Sequence, residues 1–365
     1  MLKKRDEALD IFRGLTIALM IVVNNPGSWS SIYKPLKHAA WHGLTPTDLV
    51  FPFFLFIVGC SIFYSLQNQL ANSKTLIKIL RRVLLLFGLG LFLNAWPLGL
   101  ALGADTGFDF AGKMAKLRIL GVLQRIALCY GVVAIFYPYF RKLSWASGLL
   151  LLVVVCYELI MRTGASGWAL EANNAARFDI FILGDAHSYH YGKTAFEPEG
   201  FVSTLTAIAT TLLGLISIQI SQKSRTSALL FSCWVLLAGL LMMLFEPVNK
   251  PLWTFTYVLL TAGLALLCYL LILKLAEVKV WLPFKAMGLN AIVIFAGASL
   301  LAKTIYLYKL PYKQKLTSTK AILYQEWFLP FFEPLNASLA HSLAHLVLWL
   351  VVAALLYHRR IFIKV

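Results

Sequence analysis

The chain has 365 residues, of which 60% are hydrophobic, a mean hydropathy of +0.76 and a formal net charge of +17. Soluble domains average about 45–50% apolar residues, and the excess here sits in runs of about 18 or more, each long enough to cross a bilayer. This excludes an ordinary soluble domain and makes the lipid bilayer a partner. A basic balance otherwise points to nucleic acid, but here it reads as the Lys- and Arg-rich cytoplasmic loops of a membrane protein. Nucleic acid is therefore set aside as a partner. No cleavable signal is expected: the first apolar run follows Met1-Leu2-Lys3-Lys4-Arg5, contains Asp10 and Arg13, and lacks a small-residue cleavage pattern. It reads as the first helix of the mature protein.

In chain order, apolar runs predict spanning helices over 8–26, 48–66, 78–97, 117–139, 145–162, 199–219, 227–246, 252–274, 286–306 and 338–357. The fold class is all-α, a polytopic transmembrane bundle of about ten helices, with residues 1–365 forming one domain. Ten spans put both termini on one side. Lys3, Lys4 and Arg5 precede the first helix; Lys74, Lys78, Arg81 and Arg82 follow the second. Arg141 and Lys142, Lys223 and Arg225, and Lys274, Lys279 and Lys285 lie in later loops of the same parity, and Arg359, Arg360 and Lys364 close the chain. With both termini cytoplasmic, every such loop obeys the positive-inside rule. The connection 303–320, with Lys309, Lys313 and Lys315, falls outside and conflicts with it. Four long outer loops remain, 27–47, 98–116, 163–198 and 307–337. Chemistry is expected there, because loops carry function when a rigid scaffold holds them. Cys60, Cys129, Cys156, Cys233 and Cys268 lie in apolar runs without metal-ligand spacing and read as buried thiols; no metal is expected.

Ionisable residues inside spans are costly and mark function. Asp10 and Arg13 share a helix face, either as a mutual ion pair or as a ligand site. Asp48, beside Thr45-Pro46-Thr47, reads as a helix-capping carboxylate. Arg125, beside Gln124, must face a partner or a wet cavity. The first outer loop gathers His38, Trp41, His42 and Asp48. Histidine there can act as base, acid or nucleophile, or can be an interfacial anchor.

The strings Asp10-Ile11-Phe12-Arg13-Gly14, Lys37-His38-Ala39-Ala40-Trp41-His42-Gly43-Leu44-Thr45 and Asp48-Leu49-Val50-Phe51-Pro52 resemble the heparan-α-glucosaminide N-acetyltransferase family. The resemblance continues through Gly121-Val122-Leu123-Gln124-Arg125, Leu183-Gly184-Asp185-Ala186-His187 and Glu197-Pro198-Glu199-Gly200, where the family often has Asp first. Pro247-Val248-Asn249-Lys250-Pro251-Leu252-Trp253 and Gly288-Leu289-Asn290-Ala291 complete it, so it covers nearly the whole chain in order. Lysosomal members carry an extra luminal region, one more helix and loop cysteines; the chain looks like a compact bacterial form, expected in the bacterial inner (cytoplasmic) membrane.

The resemblance implies transfer of acetyl from cytosolic acetyl-CoA, the donor substrate, to the amine of a glucosamine-type acceptor on the far side. It makes His38 the active-site histidine, general base or acetyl carrier, with Asn24 and Asp48 beside it. The arginines Arg13, Arg118 and Arg125, with Gln124, are expected along the CoA path. Trp41, Asp185, His187, Glu197, Glu199, Asn249, Lys250, Trp253 and Asn290 are expected to serve the acceptor. His42 stands where the lysosomal form has asparagine and receives no catalytic part. The acceptor stays open, since a bacterium has no heparan sulfate to recycle, and a homodimer is allowed. The alternatives are an amino-sugar transporter, which would show inverted repeats and broken helices, and an acyltransferase for another envelope sugar. The topology predicts that a cysteine placed at Ser31 reacts with an impermeant thiol reagent in intact spheroplasts. Labelling only after lysis would reverse the assignment.

Overall fold

A computed structural model describes residues 6–98, 109–163 and 167–363; the terminal charges Lys3, Lys4, Arg5 and Lys364, and part of the 98–116 loop, lie outside the described residues. The helices are α1 (Glu7–Asn24), α2 (Val50–Leu66), α3 (Ser73–Ala95), α4 (Phe110–Ala115), α5 (Val122–Phe140), α6 (Leu143–Arg162) and α7 (Asn174–Leu183). They continue as α8 (Phe201–Lys223), α9 (Arg225–Met242), α10 (Phe255–Leu275), α11 (Leu282–Leu289), α12 (Ala291–Leu307), α13 (Thr319–Leu323) and α14 (Pro334–His358). Two small antiparallel hairpins decorate the loops: β1 (His190–Tyr191) with β2 (Thr194–Ala195), and β3 (Lys309–Tyr312) with β4 (Lys315–Ser318).

Each expected span overlies a helix, but the spans differ in kind. Among the described residues, six helical stretches are long and apolar enough to cross a membrane: Pro46–Leu66, α6, α8, α9, α10 and α14. A seventh is broken at Asn290, where the stretch Lys279–Leu289 and α12 meet at 76°. The other three are shorter or carry charge: α1 holds Glu7, Asp10 and Arg13, α3 begins with Lys74, Lys78, Arg81 and Arg82, and the apolar part of α5 is Val122–Tyr137. The chain is thus an all-α polytopic membrane protein.

α8 lies at the centre, packed by α2, α5, α6, α9 and α10. Among buried leucines and isoleucines such as Leu212 and Ile216 it carries the hydroxyls of Ser203, Thr204, Thr206, Thr210 and Thr211. These hydroxyls donate to carbonyls one turn back, as Thr204 does to Gly200 at 2.6 Å and Thr210 to Thr206 at 3.3 Å. These hydroxyls are therefore buried with their donors satisfied. By contrast α6, α9 and α14 turn leucines and valines such as Leu151, Leu240 and Val351 outward, the surface a lipid-facing helix presents. This is also why Cys233 is exposed on α9 rather than buried as the sequence reading expected; Cys60 and Cys129 are buried, and all five cysteines are free.

Two helix crossings bring backbones together through glycine. A Cβ on Gly59 of α2 would lie 1.9 Å from the Thr211 carbonyl of α8, and one on Gly214 would lie 2.1 Å from Phe56 O. At the α1–α11 crossing, a Cβ on Gly14 would sit 1.8 Å from Phe284 O, and one on Gly288 1.9 Å from Asp10 O. Close approach of this kind is how helices associate where lipid removes the hydrophobic drive.

Loops of one parity meet one another. Gly27 donates to Ser338 O at 3.2 Å, and Tyr33 donates to Asn336 at 2.5 Å, so the basic 307–337 connection lies at the same end as loop 27–47. Three lysines of that connection, Lys309, Lys313 and Lys315, are carried on the β3–β4 hairpin, and Lys320 on α13. At the opposite end Arg141 donates to the Gln69 carbonyl.

Gly59→Ala should destabilise the detergent-solubilised protein by about 1–3 kcal/mol, the usual cost of overpacking. Gly88→Ala in α3, whose Cβ would meet open space, should be neutral or slightly stabilising, because alanine is the better helix former. Thermal unfolding of the two variants side by side checks this.

Candidate active site

α1 borders a cavity of about 770 Å³ that accompanies it from Asp6 to Asn24. At 1.5 Å per residue those 18 steps span about 27 Å, close to the thickness of a hydrocarbon core. The two ends are polar and the middle is apolar, with Met20, Phe54, Leu86 and Phe295 among its walls.

One end is built on Asp48. The turn Pro46–Leu49 precedes α2, with proline at its first position and Asp48 three residues after Thr45. Asp48 Oδ2 accepts from Thr45 N at 3.1 Å, Thr45 Oγ1 at 2.9 Å and Ala39 N at 3.1 Å. Its Oδ1 lies 2.7 Å from His38 Nδ1 and 3.3 Å from Lys250 Nζ. Lys250 Nζ is also 3.0 Å from His38 Nδ1. The carboxylate is buried, whereas the His38 side chain is 50% exposed. Asn24, His38, Glu199 and Lys250 all line this end of the cavity. Burial lowers the Lys250 ammonium from its ordinary value, against the opposing pull of Asp48 and Glu199.

Lys250 reaches this place because its loop is sewn to the histidine loop. Buried Asn249 donates to Trp41 O at 3.0 Å and accepts from Leu252 N at 2.7 Å, and Gly43 N donates to Val248 O at 2.8 Å. Asn249 also faces His42 Nδ1 at 3.2 Å. The two histidines therefore differ: His38 meets a carboxylate and borders the cavity, while His42 is held by an amide and burial lowers its pKa. Trp41 is an anchor, donating to Trp168 O at 2.8 Å with its ring against Tyr191 and Phe196.

Behind this end stands a second cluster. Arg118 pairs side-on with Glu197, Nε to Oε2 at 2.9 Å and Nη2 to Oε1 at 2.5 Å, and also with Glu199. Burial alone would lower the Arg118 pKa, but the two carboxylates outweigh it and raise it. Arg125 is 1% exposed; it donates to Pro198 O at 2.5 Å and to Ser203, and stacks 5.0 Å over Trp253. Trp253 in turn donates to Thr210 at 3.0 Å.

The other end is formed by Asp6, Asp10, Arg13, Tyr64 and Arg82. Arg13 meets Asp10 at 3.1 Å, Ser61 Oγ at 2.7 Å and Gly288 O at 3.3 Å, so the ion-pair reading of Asp10 and Arg13 holds within a cavity wall. Asp6 caps α1 through Leu9 N at 3.0 Å and accepts from Tyr64 and Tyr269 at 2.5 and 2.6 Å. Arg82 lies 4.6 Å over the Tyr130 ring, and its Nε has no hydrogen-bond partner among the described residues.

The geometry redistributes the expected residues. Asn24, His38, Glu199 and Lys250 come together, with Asp48 behind His38. Arg118, Gln124 and Arg125 do not line the cavity: Gln124 donates to Ile119 O at 3.1 Å, and Arg118 and Arg125 are consumed by the cluster above. Glu197 and Trp253 belong to that same supporting layer. Asp185, paired with His190 at 3.3 Å, and His187, bonded to Leu117 O at 2.7 Å, lie off the cavity. Asn290 sits at the helix break near Arg13, accepting from Ile363 N and donating to Ile361 O, both at 2.9 Å. It thus sits at the opposite end of the bundle from His38. Arg82, Tyr64 and Asp6 were not singled out by sequence; an arginine inside the third apolar run was the signal for the first.

The fold and cavity define a polytopic α-helical membrane protein with a polar site at each end of one internal passage. The family model for "Heparan-alpha-glucosaminide N-acetyltransferase, catalytic" matches residues 5–232, and the chain belongs to this family. It is similar to heparan-alpha-glucosaminide N-acetyltransferase of Homo sapiens, at 29% identity across 100% of this chain and 60% of the human protein. The Mus musculus protein of the same name is also 29% identical, across 99% of this chain and 60% of its own length. The chain thus spans about 60% of the length of these relatives.

Arg125→Gln should cost about 1–3 kcal/mol of stability, because the Pro198 carbonyl and Ser203 lose a buried donor. Thermal unfolding should fall while the affinity of the folded fraction for small ligands is kept.

Proposed function

We propose that the chain is a transmembrane N-acetyltransferase that carries acetyl from acetyl-CoA to the amine of a glucosamine-type sugar. The observation that supports it is the single passage along α1 with His38 on Asp48 at one end and Arg13 and Arg82 at the other. A donor on one side and an acceptor on the other need a hollowed bundle, because a core about 30 Å thick separates them. The arginine-bearing end suits an anionic nucleotide, and an arginine with an orphaned Nε favours an anion partner. The middle, mostly apolar with the hydroxyls of Thr16 and Ser299 in its lining, gives the pantetheine arm length and a few hydrogen-bonding groups.

At the far end, Asp48 accepting from Nδ1–H fixes the lone pair on Nε2 of His38. That nitrogen can take the proton from the acceptor amine as the amine attacks the thioester carbonyl. Equally, it can attack the carbonyl itself and hold the acetyl group until the amine arrives. In both routes the carbonyl oxygen gains negative charge, which the Asn24 amide can meet, and the CoA sulfur leaves. Membership of the named family favours the amino-sugar acceptor. Multi-pass placement in a cytoplasmic membrane, with the His38 end outside, is part of the same reading.

A transporter reading draws on the same passage and on the break at Asn290, since discontinuous helices are a transporter feature. It gives no task to a histidine held by a buried carboxylate.

Purified protein with glucosamine should release free CoA from acetyl-CoA, and His38→Ala should reduce this by at least about 100-fold, the usual range of acid–base catalysis, in a folded fraction whose thermal stability falls by no more than the loss of one donor to Asp48. His42→Ala should cost less. Arg13→Gln should weaken acetyl-CoA binding more than sugar binding. Sugar binding with no thiol release by the wild type would favour the transporter.

A further inference from the structure

Lys250 lines the cavity with its ammonium turned back onto the histidine and its carboxylate. Its Nζ lies 3.0 Å from His38 Nδ1 and 3.3 Å from Asp48 Oδ1. An ammonium has three donors and no acceptor, so it cannot receive Nδ1–H. The three groups are compatible when Nδ1–H and Nζ–H both point at Asp48 Oδ1, while Oδ2 is filled by Ala39 and Thr45. All five donors then have an acceptor, and Nε2 keeps its lone pair.

We propose that Lys250 is a positioning residue, not an acceptor-binding one: its charge offsets Asp48, so the carboxylate orients the His38 ring without driving it to imidazolium. A lone buried carboxylate 2.7 Å from an imidazole favours the doubly protonated ring, which has no free electron pair. A cation at 3.0 Å opposes that second proton. The other groups facing His38 leave this balance in place. Asn24 on α1 is neutral, and Thr45 belongs to the cap. Glu199, before α8, shares Arg118 with Glu197 and acts on Lys250, its charge being common to the wild type and the lysine variants, and His42 is turned to Asn249. The arrangement matters for catalysis because of the base or carrier role given to His38 above, and it rests on that reading only there.

The test titrates His38 itself. Full-length protein in detergent is treated with diethyl pyrocarbonate across the range in which imidazole titrates, and carbethoxylation of the His38 peptide is read by mass spectrometry. In Lys250→Met the midpoint should rise by on the order of one pH unit, as expected for loss of a neighbouring like charge; in Lys250→Arg it should stay near wild type. A midpoint that is unchanged or lowered in a Lys250→Met chain that elutes and melts like wild type overturns the proposal. A purely structural lysine would move the melting curve and leave the midpoint alone. Nitrogen-15 spectra of wild-type His38 give a check that needs no variant. Neutral His38 should carry its proton on Nδ1, and a proton on Nε2, as when the lysine donates to Nδ1, overturns the proposal. Neither readout requires acetyl transfer. If His38→Ala retains full transfer, the role of His38 falls, while the charge balance is judged on its own titration.

Discussion

The site depends on one buried carboxylate. Asp48 sits where a helix is about to begin, and the unpaired N–H groups of that first turn already favour an acceptor. Its two oxygens collect donors from its own loop, from the histidine ring and from a lysine more than two hundred residues away. Burying a bare carboxylate is costly, and five donors remove that cost. The cap thereby becomes the support of His38: the same atoms that start α2 hold the ring at the cavity wall.

The rest of the bundle keeps this arrangement in register. Gly59 against Gly214 and Gly14 against Gly288 let α2 meet α8 and α1 meet α11 at backbone distance. α8 then carries Ser203 and Thr210 to the buried Arg125–Trp253 stack, and the preceding turn offers Glu197 and Glu199 to Arg118. This polar layer is costly to bury inside a membrane protein, and it is satisfied almost entirely by itself. Its position behind the cavity end fixes the loop that bears Glu199. Arg118 and Arg125 thus hold the backbone of Pro198 and the side chains of Glu197, Glu199 and Ser203 beside the cavity end.

The passage explains why the two ends differ. Near Asn24 the groups are a histidine, a lysine and carboxylates, fitted to moving protons. Near Asp6 they are Arg13, Arg82 and Tyr64 beside the carboxylates of Asp6 and Asp10, where α1 begins. Among the described residues the stretch between them is lined mainly by apolar side chains such as Met20, Phe54 and Phe295.

The sequence by itself determined the membrane class, the helical runs and the local motifs. Apolar run length and basic-loop parity are one-dimensional quantities set by the bilayer, and the Thr45–Asp48 cap is complete within four residues. The pairing of Asp10 with Arg13 was legible for the same reason, since three positions on a helix share a face. Only tertiary structure decided which polar residues face the cavity. Nothing in the string around Arg125 distinguishes a ligand arginine from one spent on Pro198 and Ser203, because its partners arrive from a separate helix. Lys250 and His38 are 212 positions apart and meet only because Asn249 and Gly43 join their loops. Asn290 and Asp185 looked like members of the same site, and the fold sent one to the far end and the other to an exposed turn. Contacts between distant segments are set by packing, and packing is what a linear pattern does not carry.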